Sequence, residues 1–382
     1  MANRRICFVV SSPGTAVSFL SGAMSKLKDE YDIYLVANFD TPRNIDALPL
    51  CGKKHIQIER RPQPLTDIKA LWQLYRFFRQ NKFYAVHSYT LKASLLTAIA
   101  GCCARVPHRL RNFSGQLWCN MTGLKRRFYK MIEHIIVGLD NGFIIDCNAQ
   151  RQYLIDEGIL KSHDQAKIMY RGSVCGINAD RFKFSYEQRV AIRNELHIPL
   201  TVKVFIFLGR LRREKGVNEL LEAFNRIAKE QNDAYLLLVG RIEDDCLDHM
   251  IDYPNIHEGE NYCYYGYTSN PSYLLQAGDI NVMPSYREGF GLATLEASCM
   301  GLPVICSDIY GMADTIKDGV TGLRCKVRNA DSLYECMKIL LNNDEMREKM
   351  GKAGHEWVVN DFPQDKVNEA WLEFYRNLEN KK

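Results

Sequence analysis

Several patterns that would define a class of protein are missing from this chain of 382 residues. No run approaches the roughly 20 apolar residues that a membrane-spanning helix needs, and we expect no transmembrane segment. No C-x-x-C pair, D-x-D triplet or H-E-x-x-H motif occurs, so the sequence predicts neither a metal site nor a cofactor. The first residues enter a strand without the shape of a signal peptide, which predicts a cytoplasmic protein.

Cysteine is present, but not in a pattern that builds a disulfide framework. The chain has 13 cysteines, an odd number, scattered singly except for Cys102 and Cys103. Disulfide-stabilised secreted domains use even numbers of cysteines at regular spacings. The cysteine content is therefore typical of reduced thiols in a cytoplasmic protein.

Charge is unevenly distributed between the two halves of the chain. Residues 1–178 contain 25 Lys and Arg against 13 Asp and Glu, whereas the remaining residues contain 25 against 32. A basic N-terminal half favours a large anionic partner, such as a membrane surface, a lipid diphosphate or a nucleic acid. Uneven surface charge without a partner is the alternative. A nucleic acid is the least favoured partner, because no aromatic-interleaved motif of a nucleic-acid-binding module occurs.

Short apolar runs alternate with helical periodicity along the chain, which predicts an α/β protein. The pattern restarts after the glycine-containing segment 171–178, and a chain of this length can bury two separate cores. We therefore predict an N-terminal domain of residues 1–178 and a C-terminal domain of residues 179–363. A last helix, residues 364–382, is predicted to cross back to the first domain.

The stretch 284–308 carries the most specific chemistry of the sequence. It is predicted to run from a strand end through a glycine-bounded loop into a helix that begins near Leu292. Gly289 and Gly291 flank Phe290 and let backbone N–H groups come close to a ligand. Together with the positive end of the helix dipole, these groups form a seat for a diphosphate.

Two carboxylates bracket this seat, Glu288 in the loop and Glu296 in the helix. Carboxylates repel phosphate, but they accept hydrogen bonds from sugar hydroxyls. The stretch therefore predicts a nucleotide-sugar site, with phosphates on the amides and hydroxyls on the acids. The alternative is that Glu288 caps the helix and Glu296 lies on its solvated face.

Basic residues follow a strand earlier in the second domain. Gly209, Arg210 and Lys215 lie in the loop after the predicted strand 202–208. Cations at such an edge can neutralise a leaving diphosphate, a role that a metal fills in other enzymes. Solvated loop charge is the alternative. We also assign Arg241 and Tyr267, which follow two further strands, to donor binding.

Two residues of the first domain are further candidates. His87 ends the predicted strand 85–88, and Gly14 lies in the turn after the first strand. Ligands of parallel sheets bind at the carboxyl edge, so His87 is a candidate catalytic residue and Gly14 a candidate contact of the donor phosphates. A structural histidine and an ordinary tight turn are the alternatives.

The helix predicted over residues 122–136 is basic and amphipathic. Lys125, Arg126, Arg127 and Lys130 cluster on one side, and apolar residues recur at helical spacing. Such a helix can lie in a membrane interface or on anionic headgroups, where it would meet a membrane-bound acceptor. It can equally be a buried helix with a solvated basic face.

These residues together resemble a known family. The glutamates of Glu288-(x7)-Glu296, within the sequence PSYREGFG and its continuation, are similar to the E-x7-E motif of the retaining GT-B glycosyltransferases of family GT4. The pairs at 209–210 and 215–216 are similar to the family's diphosphate-binding residues, and DGVTG at 318–322 to its closing turn. The segments 87–93, 122–127 and 172–178 resemble blocks of the bacterial capsule and O-antigen sugar transferases. The resemblance covers nearly the whole chain.

The resemblance implies two Rossmann-like domains that face a central cleft. It implies that Glu288 binds hydroxyls of the transferred sugar and that Glu296 binds the ribose. Arg210 and Lys215, with the amides of the glycine-bounded loop, would hold the diphosphate, and Gly14 would sit opposite. It further implies front-face attack with retention, in which the donor phosphate takes the acceptor proton. The absence of a D-x-D motif agrees with catalysis that needs no metal.

Three segments depart from the family pattern. The sequence has Asn112-Phe113-Ser114-Gly115 where many members have His-Gly. It has Tyr310-Gly311-Met312-Ala313-Asp314 where G-G-x-x-E is common, and Asn270 where an Asp is common. The residue that touches the far hydroxyl of the sugar, and the identities of base and sugar, therefore stay open.

The sequence as a whole predicts a peripheral enzyme on the inner face of the plasma membrane. We expect it to move a hexose or N-acetylhexosamine from a nucleotide-sugar, with UDP as the expected nucleotide. The expected acceptor is a polyprenyl-diphosphate-linked saccharide of O-antigen or capsule synthesis. Two alternatives stay open: a nucleotide-sugar epimerase of the same architecture, and a non-catalytic subunit that binds nucleotide-sugar.

Overall fold

The structure is a computed structural model, and it describes residues 4–40, 43–59, 61–248 and 250–379. The described residues form two compact units. The first contains those up to Gly176 together with those from Gln364 onwards, and the second contains Ile177–Pro363. The sequence-based division placed the boundaries after residues 178 and 363, and the last three residues of its final helix lie outside the described part.

A parallel sheet forms the centre of the first unit. Among the described residues it has seven strands in the order β3-β2-β1-β4-β5-β6-β7. These are β1 (Arg4–Val9), β2 (Tyr31–Ala37), β3 (Gly52–His55), β4 (Ala85–Tyr89), β5 (His108–Asn112), β6 (Gly142–Ile145) and β7 (Ala166–Ile168). The strand order reverses between β1 and β4, so the switch point of this sheet lies there.

The helices of the first unit up to β7 connect successive strands. They are α1 (Pro13–Thr15), α2 (Ser21–Leu27), α3 (Pro64–Asn81), α4 (Leu91–Cys103), α5 (Gly123–Leu139) and α6 (Asn148–Asp156). A π-helical segment, Ala16–Leu20, joins α1 to α2. In the part of the chain that the structure describes, no helix is long and apolar enough to cross a membrane.

A second parallel sheet forms the centre of the other unit. Its six described strands follow the order β10-β9-β8-β11-β12-β13. They are β8 (Lys203–Leu208), β9 (Ala234–Val239), β10 (Tyr262–Gly266), β11 (Ile280–Met283), β12 (Val304–Ser307) and β13 (Gly322–Cys325). The order reverses between β8 and β11, the two strands that precede the predicted donor-binding loops.

The remaining helices follow the same alternation and end with three consecutive helices. They are α7 (Tyr186–Glu195), α8 (Val217–Glu230), α9 (Pro271–Leu275), α10 (Leu292–Cys299), α11 (Tyr310–Ala313), α12 (Ala330–Leu341), α13 (Asp344–Asp361) and α14 (Gln364–Glu379). The chain therefore contains two Rossmann-like domains, as the sequence predicts.

The first sheet is buried on both faces, and β1 shows how. Ile6 and Phe8 pack into a core shared with α2 and α14, whereas Cys7 and Val9 pack into a core shared with α3 and α4. Successive side chains of a strand point to opposite faces, so a continuous apolar run fills both cores. The helices α3 and α4 therefore lie on the face opposite α2 and α14.

The last helix belongs to the core of the first unit. Val367, Trp371 and Tyr375 recur every four residues along α14 and are completely buried. The indole Nε1 of Trp371 donates to the carbonyl oxygen of Val174 at 2.8 Å, which fixes α14 against the segment that ends the first unit. Helical spacing of large apolar residues thus explains where the helix docks.

A buried ion pair holds the strands on either side of the second switch point. The completely buried Arg193 guanidinium donates to Asp279 at 2.6 Å and to the Ala277 carbonyl oxygen at 2.8 Å. The same Asp279 carboxylate accepts the backbone N–H of Val204 at 2.7 Å. Because Val204 lies in β8 and Asp279 immediately precedes β11, this network fixes the amino ends of both strands. Removing one partner of such a pair typically costs about 3–5 kcal/mol.

Candidate active site

The candidate site of the second unit lies at the carboxyl edge of its sheet, beside the switch point. The loop after β8 spans residues 209–216, and the loop after β11 spans residues 284–291. Open parallel sheets bind ligands at this edge, because the loops of the two strands diverge there and leave a crevice. The sequence-predicted donor residues of both loops therefore meet at one edge of one sheet.

Gly216 brings the two loops together. It has a φ of 72°, and a Cβ added there would lie 2.1 Å from the Pro284 carbonyl oxygen. Only glycine fits such an approach, because any side chain would collide with backbone. Gly311, after β12, approaches the carbonyl oxygen of Glu288 in the same way, with a Cβ distance of 2.1 Å. The loop that carries Glu288 is thus held on both sides by glycine contacts.

Lys215 and Glu288 form an ion pair across these loops. The Lys215 ammonium donates to the Oε1 atom of Glu288, and the Ser285 hydroxyl donates to the same oxygen at 2.9 Å. The exposed fraction is 15% for the Lys215 side chain and 16% for that of Glu288. Each group therefore satisfies the other without a ligand, while the pair stays open to solvent. Ser285 was not among the predicted site residues, although it precedes Glu288 by only three positions.

The glycine-bounded loop leads directly into α10. Gly291 is the N-cap with a φ of 38°, and none of the described side chains caps this helix end. The proposal that Glu288 caps the helix is therefore wrong, since its carboxylate contacts Lys215. Phe290 is buried, with its ring centroid 5.6 Å from that of Phe362. The backbone after Gly289 is consequently anchored, and the helix dipole points its positive end at the loop.

Glu296 lies in the second turn of α10, beside buried residues of the same helix. Burial raises the pKa of Glu296 to about 7, and the nearby Arg181 guanidinium opposes part of this shift. A carboxyl group on a fully solvated helix face would keep its ordinary pKa. Glu296 is half-buried, so the alternative of a fully solvated face residue is wrong. Arg181, which the sequence did not indicate, comes from the segment that opens the second unit.

Arg210 and Arg241 have other neighbours. The Arg210 guanidinium donates to Glu243 at 2.8 Å, in the loop after β9. The Arg241 guanidinium lies over the Tyr267 ring, 4.3 Å from its centroid. Gly240 packs so closely on the Gly209 carbonyl oxygen that an added Cβ would lie 1.6 Å away. The structure thus joins the loops after β8, β9 and β10 at the same edge of the sheet.

His87 does not face solvent as a catalytic residue would. It is 1% exposed, its ring stacks on Phe8 at 5.5 Å, and its Nδ1 atom shares a 2.8 Å hydrogen bond with the Tyr375 hydroxyl. Burial lowers the pKa of His87 to about 3, so the ring is neutral at physiological pH. These contacts are those of the structural alternative, because α14 covers the ring.

Gly14 lies inside α1 and not in an open loop. Its backbone N–H points to the Ser12 hydroxyl, the N-cap of this helix, at 3.4 Å. An added Cβ at Gly14 would lie 3.5 Å from Nε of Arg43, which is an ordinary contact. The local geometry therefore does not require glycine at this position.

The basic cluster of α5 is divided. The Arg126 guanidinium and the Lys130 ammonium donate to the Glu157 carboxylate at 2.7 and 2.8 Å, and both lie over the Trp118 ring. Lys125 and Arg127 are exposed. Two of the four predicted headgroup contacts therefore fold back onto their own unit, which leaves two for an external anion.

Asn112, the first residue of the segment 112–115 where many members of the family have His-Gly, is buried beside Asp146. Asn112 is 1% exposed and Asp146 is 4% exposed. Burial raises the pKa of Asp146 to about 7, and its hydrogen bond with Asn112 opposes that shift. No sequence motif indicated Asp146, which directly follows β6.

Residues 188–357 match the family described as glycosyl transferases, group 1. This segment contains Lys215, Glu288 and Glu296 together with both loops of the switch point. The chain is therefore a glycosyltransferase whose second unit matches group 1, and its two Rossmann-like domains have the GT-B fold. These matches favour a glycosyltransferase over the two alternatives, a nucleotide-sugar epimerase and a non-catalytic binding subunit.

Two relatives that align with more than four fifths of the chain have names that refer to capsule synthesis and to a lipid-linked saccharide. It is 25% identical over 324 residues to the capsular polysaccharide biosynthesis glycosyltransferase CapM of Staphylococcus aureus, covering 85% of this chain and 84% of CapM. It is 24% identical over 323 residues to the N,N'-diacetylbacillosaminyl-diphospho-undecaprenol alpha-1,3-N-acetylgalactosaminyltransferase of Campylobacter jejuni, covering 82% of each. Among solved structures, HepE of Anabaena in complex with UDP has a TM-score of 0.79 at 18% identity, covering 98% of this chain and 100% of HepE.

Proposed function

We propose that this enzyme moves a hexose or N-acetylhexosamine from a UDP-sugar to a polyprenyl-diphosphate-linked saccharide, with retention of configuration. The reaction would serve O-antigen or capsule synthesis at the inner face of the plasma membrane. The observation that carries the proposal is the Lys215–Glu288 pair at the switch point of the second sheet. The names of CapM and of the Campylobacter transferase support the capsule setting and the lipid-linked acceptor.

The donor would bind by separating the ion pair. A diphosphate placed at the start of α10 attracts the Lys215 ammonium, which releases the Glu288 carboxylate to accept hydrogen bonds from sugar hydroxyls. Two like-charged groups, phosphate and carboxylate, would otherwise repel each other at this edge. The pair therefore prepares one cation for the phosphates and one acceptor for the sugar. Both groups are already oriented before the donor arrives.

The remaining donor contacts follow from the same edge. Arg210 would turn from Glu243 towards the diphosphate, and the free N–H groups of α10 would complete its seat. Glu296 would accept hydrogen bonds from the ribose hydroxyls. Arg241 and Tyr267, which stack on each other, would border the nucleotide. Arg210 and Lys215 supply the positive charge that the departing diphosphate needs, so the proposal includes no metal and no cofactor.

The chemical step would need no protein nucleophile. The bond between the anomeric carbon and the phosphate oxygen breaks, and its electron pair stays on the diphosphate. The acceptor hydroxyl attacks from the same face and gives its proton to a donor phosphate oxygen. Lys215 and Arg210 stabilise the charge that develops on the diphosphate, which is the contribution expected of preorganised electrostatics.

A nucleotide-release assay tests the proposal. The purified enzyme is incubated with a panel of nucleotide-sugars, with and without polyprenyl-diphosphate-linked saccharides, in the presence of a chelator. We expect UDP release from one UDP-sugar only when an acceptor is present, and a product with the donor's anomeric configuration by NMR. Conversion of the sugar without acceptor, or donor binding without transfer to any acceptor, would contradict the proposal.

A further inference from the structure

Helix α5 exposes an apolar stripe. Leu124, Phe128, Met131 and Ile135 recur at helical spacing, and their exposed fractions run from 82% for Leu124 to 42% for Ile135. Apolar residues spaced by three and four positions share one face of a helix. In a helix that packs on a sheet, this face usually points inward. In α5 it points to solvent.

The inward face of α5 explains this orientation. Glu133 is buried there and forms an ion pair with the buried Arg111 of β5, with 2.5 Å between Nη1 and Oε2. The Trp118 indole donates to the same carboxylate at 3.3 Å. A buried carboxylate needs such partners, so the ion pair fixes the rotation of α5 and leaves its apolar stripe outward.

Helix α3 exposes a second apolar stripe. Leu65, Ile68, Trp72 and Tyr75 share its outer face, and Leu65 is 85% and Trp72 56% exposed. The Arg76 guanidinium lies over the Trp72 ring, 4.6 Å from its centroid. The opposite side of α3 fills the core through Ala70, Leu74 and Phe78. This helix is therefore apolar on both sides, although only one side is buried.

The two stripes belong to one side of the first unit. Both α3 and α5 pack against α4, which lies between them. We call the eight exposed residues of the two stripes the α3–α5 face. They are Leu65, Ile68, Trp72, Tyr75, Leu124, Phe128, Met131 and Ile135. Exposed apolar surface of this kind marks a site of interaction with a protein or a membrane.

The charges around the α3–α5 face have one sign. The three helices α3, α4 and α5 contain eight Lys and Arg and two Asp and Glu. Of the two acids, Glu133 is buried with Arg111, and Asp67 forms an ion pair with Lys92 at 2.5 Å. The basic residues that remain exposed on α3 and α5 include Lys69, Arg76, Arg79, Lys125 and Arg127. On α3, α4 and α5, both carboxylates are therefore paired with cations, and neither is left to repel an approaching anion.

We propose that the α3–α5 face docks on an anionic lipid bilayer. Its aliphatic and aromatic side chains enter the interface, and the surrounding Lys and Arg side chains contact the headgroups. A second copy of the chain fits less well, because an isologous contact would place the two basic rims against each other. This rests on the proposed function to the extent that a lipid-linked acceptor lies in the membrane. The sequence predicts a membrane contact through the basic cluster of α5 alone. The proposed contact instead uses the apolar side chains of two helices, α3 and α5.

Vesicle flotation with the full chain tests the docking. Vesicles of phosphatidylcholine are compared with vesicles that also contain phosphatidylglycerol. We expect binding to the anionic vesicles and a loss of at least about tenfold in affinity for the double variant Ile68→Glu/Phe128→Glu. The matched control is Ile251→Glu/Phe184→Glu, which places the same charges on exposed residues of the second unit and should bind like the wild type.

A measurement on the unaltered stripes keeps the test independent of variant folding. Of the four Trp residues, Trp118 and Trp371 are fully buried and Trp357 is half-buried in α13 of the second unit, so brominated lipid should quench Trp72 selectively. The quenching should disappear in Trp72→Phe. Equal vesicle binding by both double variants, or absent quenching in the wild type, would overturn the proposal. So would a dimer in sedimentation that the Ile68→Glu/Phe128→Glu variant alone dissociates. UDP binding by calorimetry, unchanged in that variant, separates failure of docking from failure of the donor site.

Discussion

Polar residues at the carboxyl edges of the two sheets differ in their exposure to solvent. At the second sheet, Lys215 and Glu288 remain partly exposed and pair with each other across two loops. At the first sheet, His87 lies within β4, Asn112 ends β5 and Asp146 follows β6, and all three are at most 4% exposed. A polar residue at a strand end is therefore not sufficient for a site. The loop must also hold it at the surface, as the glycine contacts of the second unit do.

The electrostatic consequences follow the same division. At the first sheet, burial lowers the pKa of His87 to about 3 and raises that of Asp146 to about 7, so both groups are neutral between about pH 3 and pH 7. At the second sheet, Lys215 and Glu288 lie beside each other as opposite charges. Charged groups that a ligand can reach suit recognition of a charged donor, whereas neutral buried groups suit a core.

The largest effect is expected at Glu288. Glu288→Ala should lower kcat/KM for transfer by about 10²–10³-fold or more, because the sugar loses its acceptor and Lys215 loses its orientation. The melting temperature should change little, since the pair is solvent-accessible. The exposed Glu260→Gln of the same unit is the control and should leave transfer unchanged. Full activity of Glu288→Ala would show that the second edge is no more catalytic than the first.

The glycine contact between the two loops should come next. In Gly216→Ala the new Cβ meets the Pro284 carbonyl oxygen, so the loops must separate and Lys215 must leave Glu288. We expect kcat/KM to fall by about 10–100-fold, with a loss of about 1–3 kcal/mol in stability. Gly259→Ala is a matched control, because Gly259 also has a positive φ of 80° but has no atom within 4 Å of an added Cβ. Equal effects of both substitutions on activity would refute the role of the contact.

A pH profile of donor binding should reveal Glu296. Because burial raises its pKa to about 7, its carboxylate is progressively protonated as the pH falls through that value. We expect the donor KM to rise below pH 7, by up to about tenfold per pH unit, since the neutral acid is a weaker acceptor for ribose hydroxyls. Glu296→Gln should have a raised KM that is flat over the same range. An identical slope in that variant would assign the titration to another group.

The smallest effect on activity is expected at His87. His87→Gln should change kcat/KM by less than about threefold, but lower stability by about 1–3 kcal/mol because the buried Tyr375 hydroxyl loses its partner. The histidine should also make folding pH-dependent. Its folded pKa of about 3 lies below its unfolded value, so the folded state binds fewer protons, and stability is lost as the pH falls below about 6.5.

The variant separates a structural from a catalytic histidine. His87→Gln should lack the acid-dependent loss of stability, and unfolding in denaturant at several pH values measures this difference. Tyr375→Phe, which removes the other partner of the hydrogen bond, provides the second corner of a double-mutant cycle. A large loss of kcat with unchanged stability would restore His87 as a catalytic candidate.

Prediction from sequence was most successful where the chemistry is local. Glu288, Gly289, Phe290 and Gly291 are consecutive, so their position before a helix follows from strand, turn and helix patterns. Lys215 follows β8 and Glu288 follows β11. Because the strands of a parallel sheet have their carboxyl ends at the same edge, both residues could be assigned to that edge. What could not be predicted is that Lys215 bonds Glu288 whereas Arg210 bonds Glu243, since both cations belong to one loop.

Helix α5 shows the opposite case. Its periodic apolar residues predict one face, but the same period fits a stripe that points inward or outward. The rotation depends on Glu133, whose burial requires Arg111 from a strand twenty-two positions earlier. Arg126 and Lys130 similarly turn towards their own unit, because both form ion pairs with the carboxylate of Glu157, which follows α6 in the chain.

The sequence by itself determined the two-domain α/β architecture, the loop that precedes α10 and the class of transferase, because these depend on short-range patterns of apolar residues, glycines and acids. Tertiary structure alone decided which polar groups remain accessible. A charged side chain is buried or exposed according to whether a distant segment supplies its counter-charge. Counter-charges buried Glu133 beside Arg111 and paired Lys215 with Glu288, whereas packing of α14 buried His87. The α3–α5 face was left in contact with solvent.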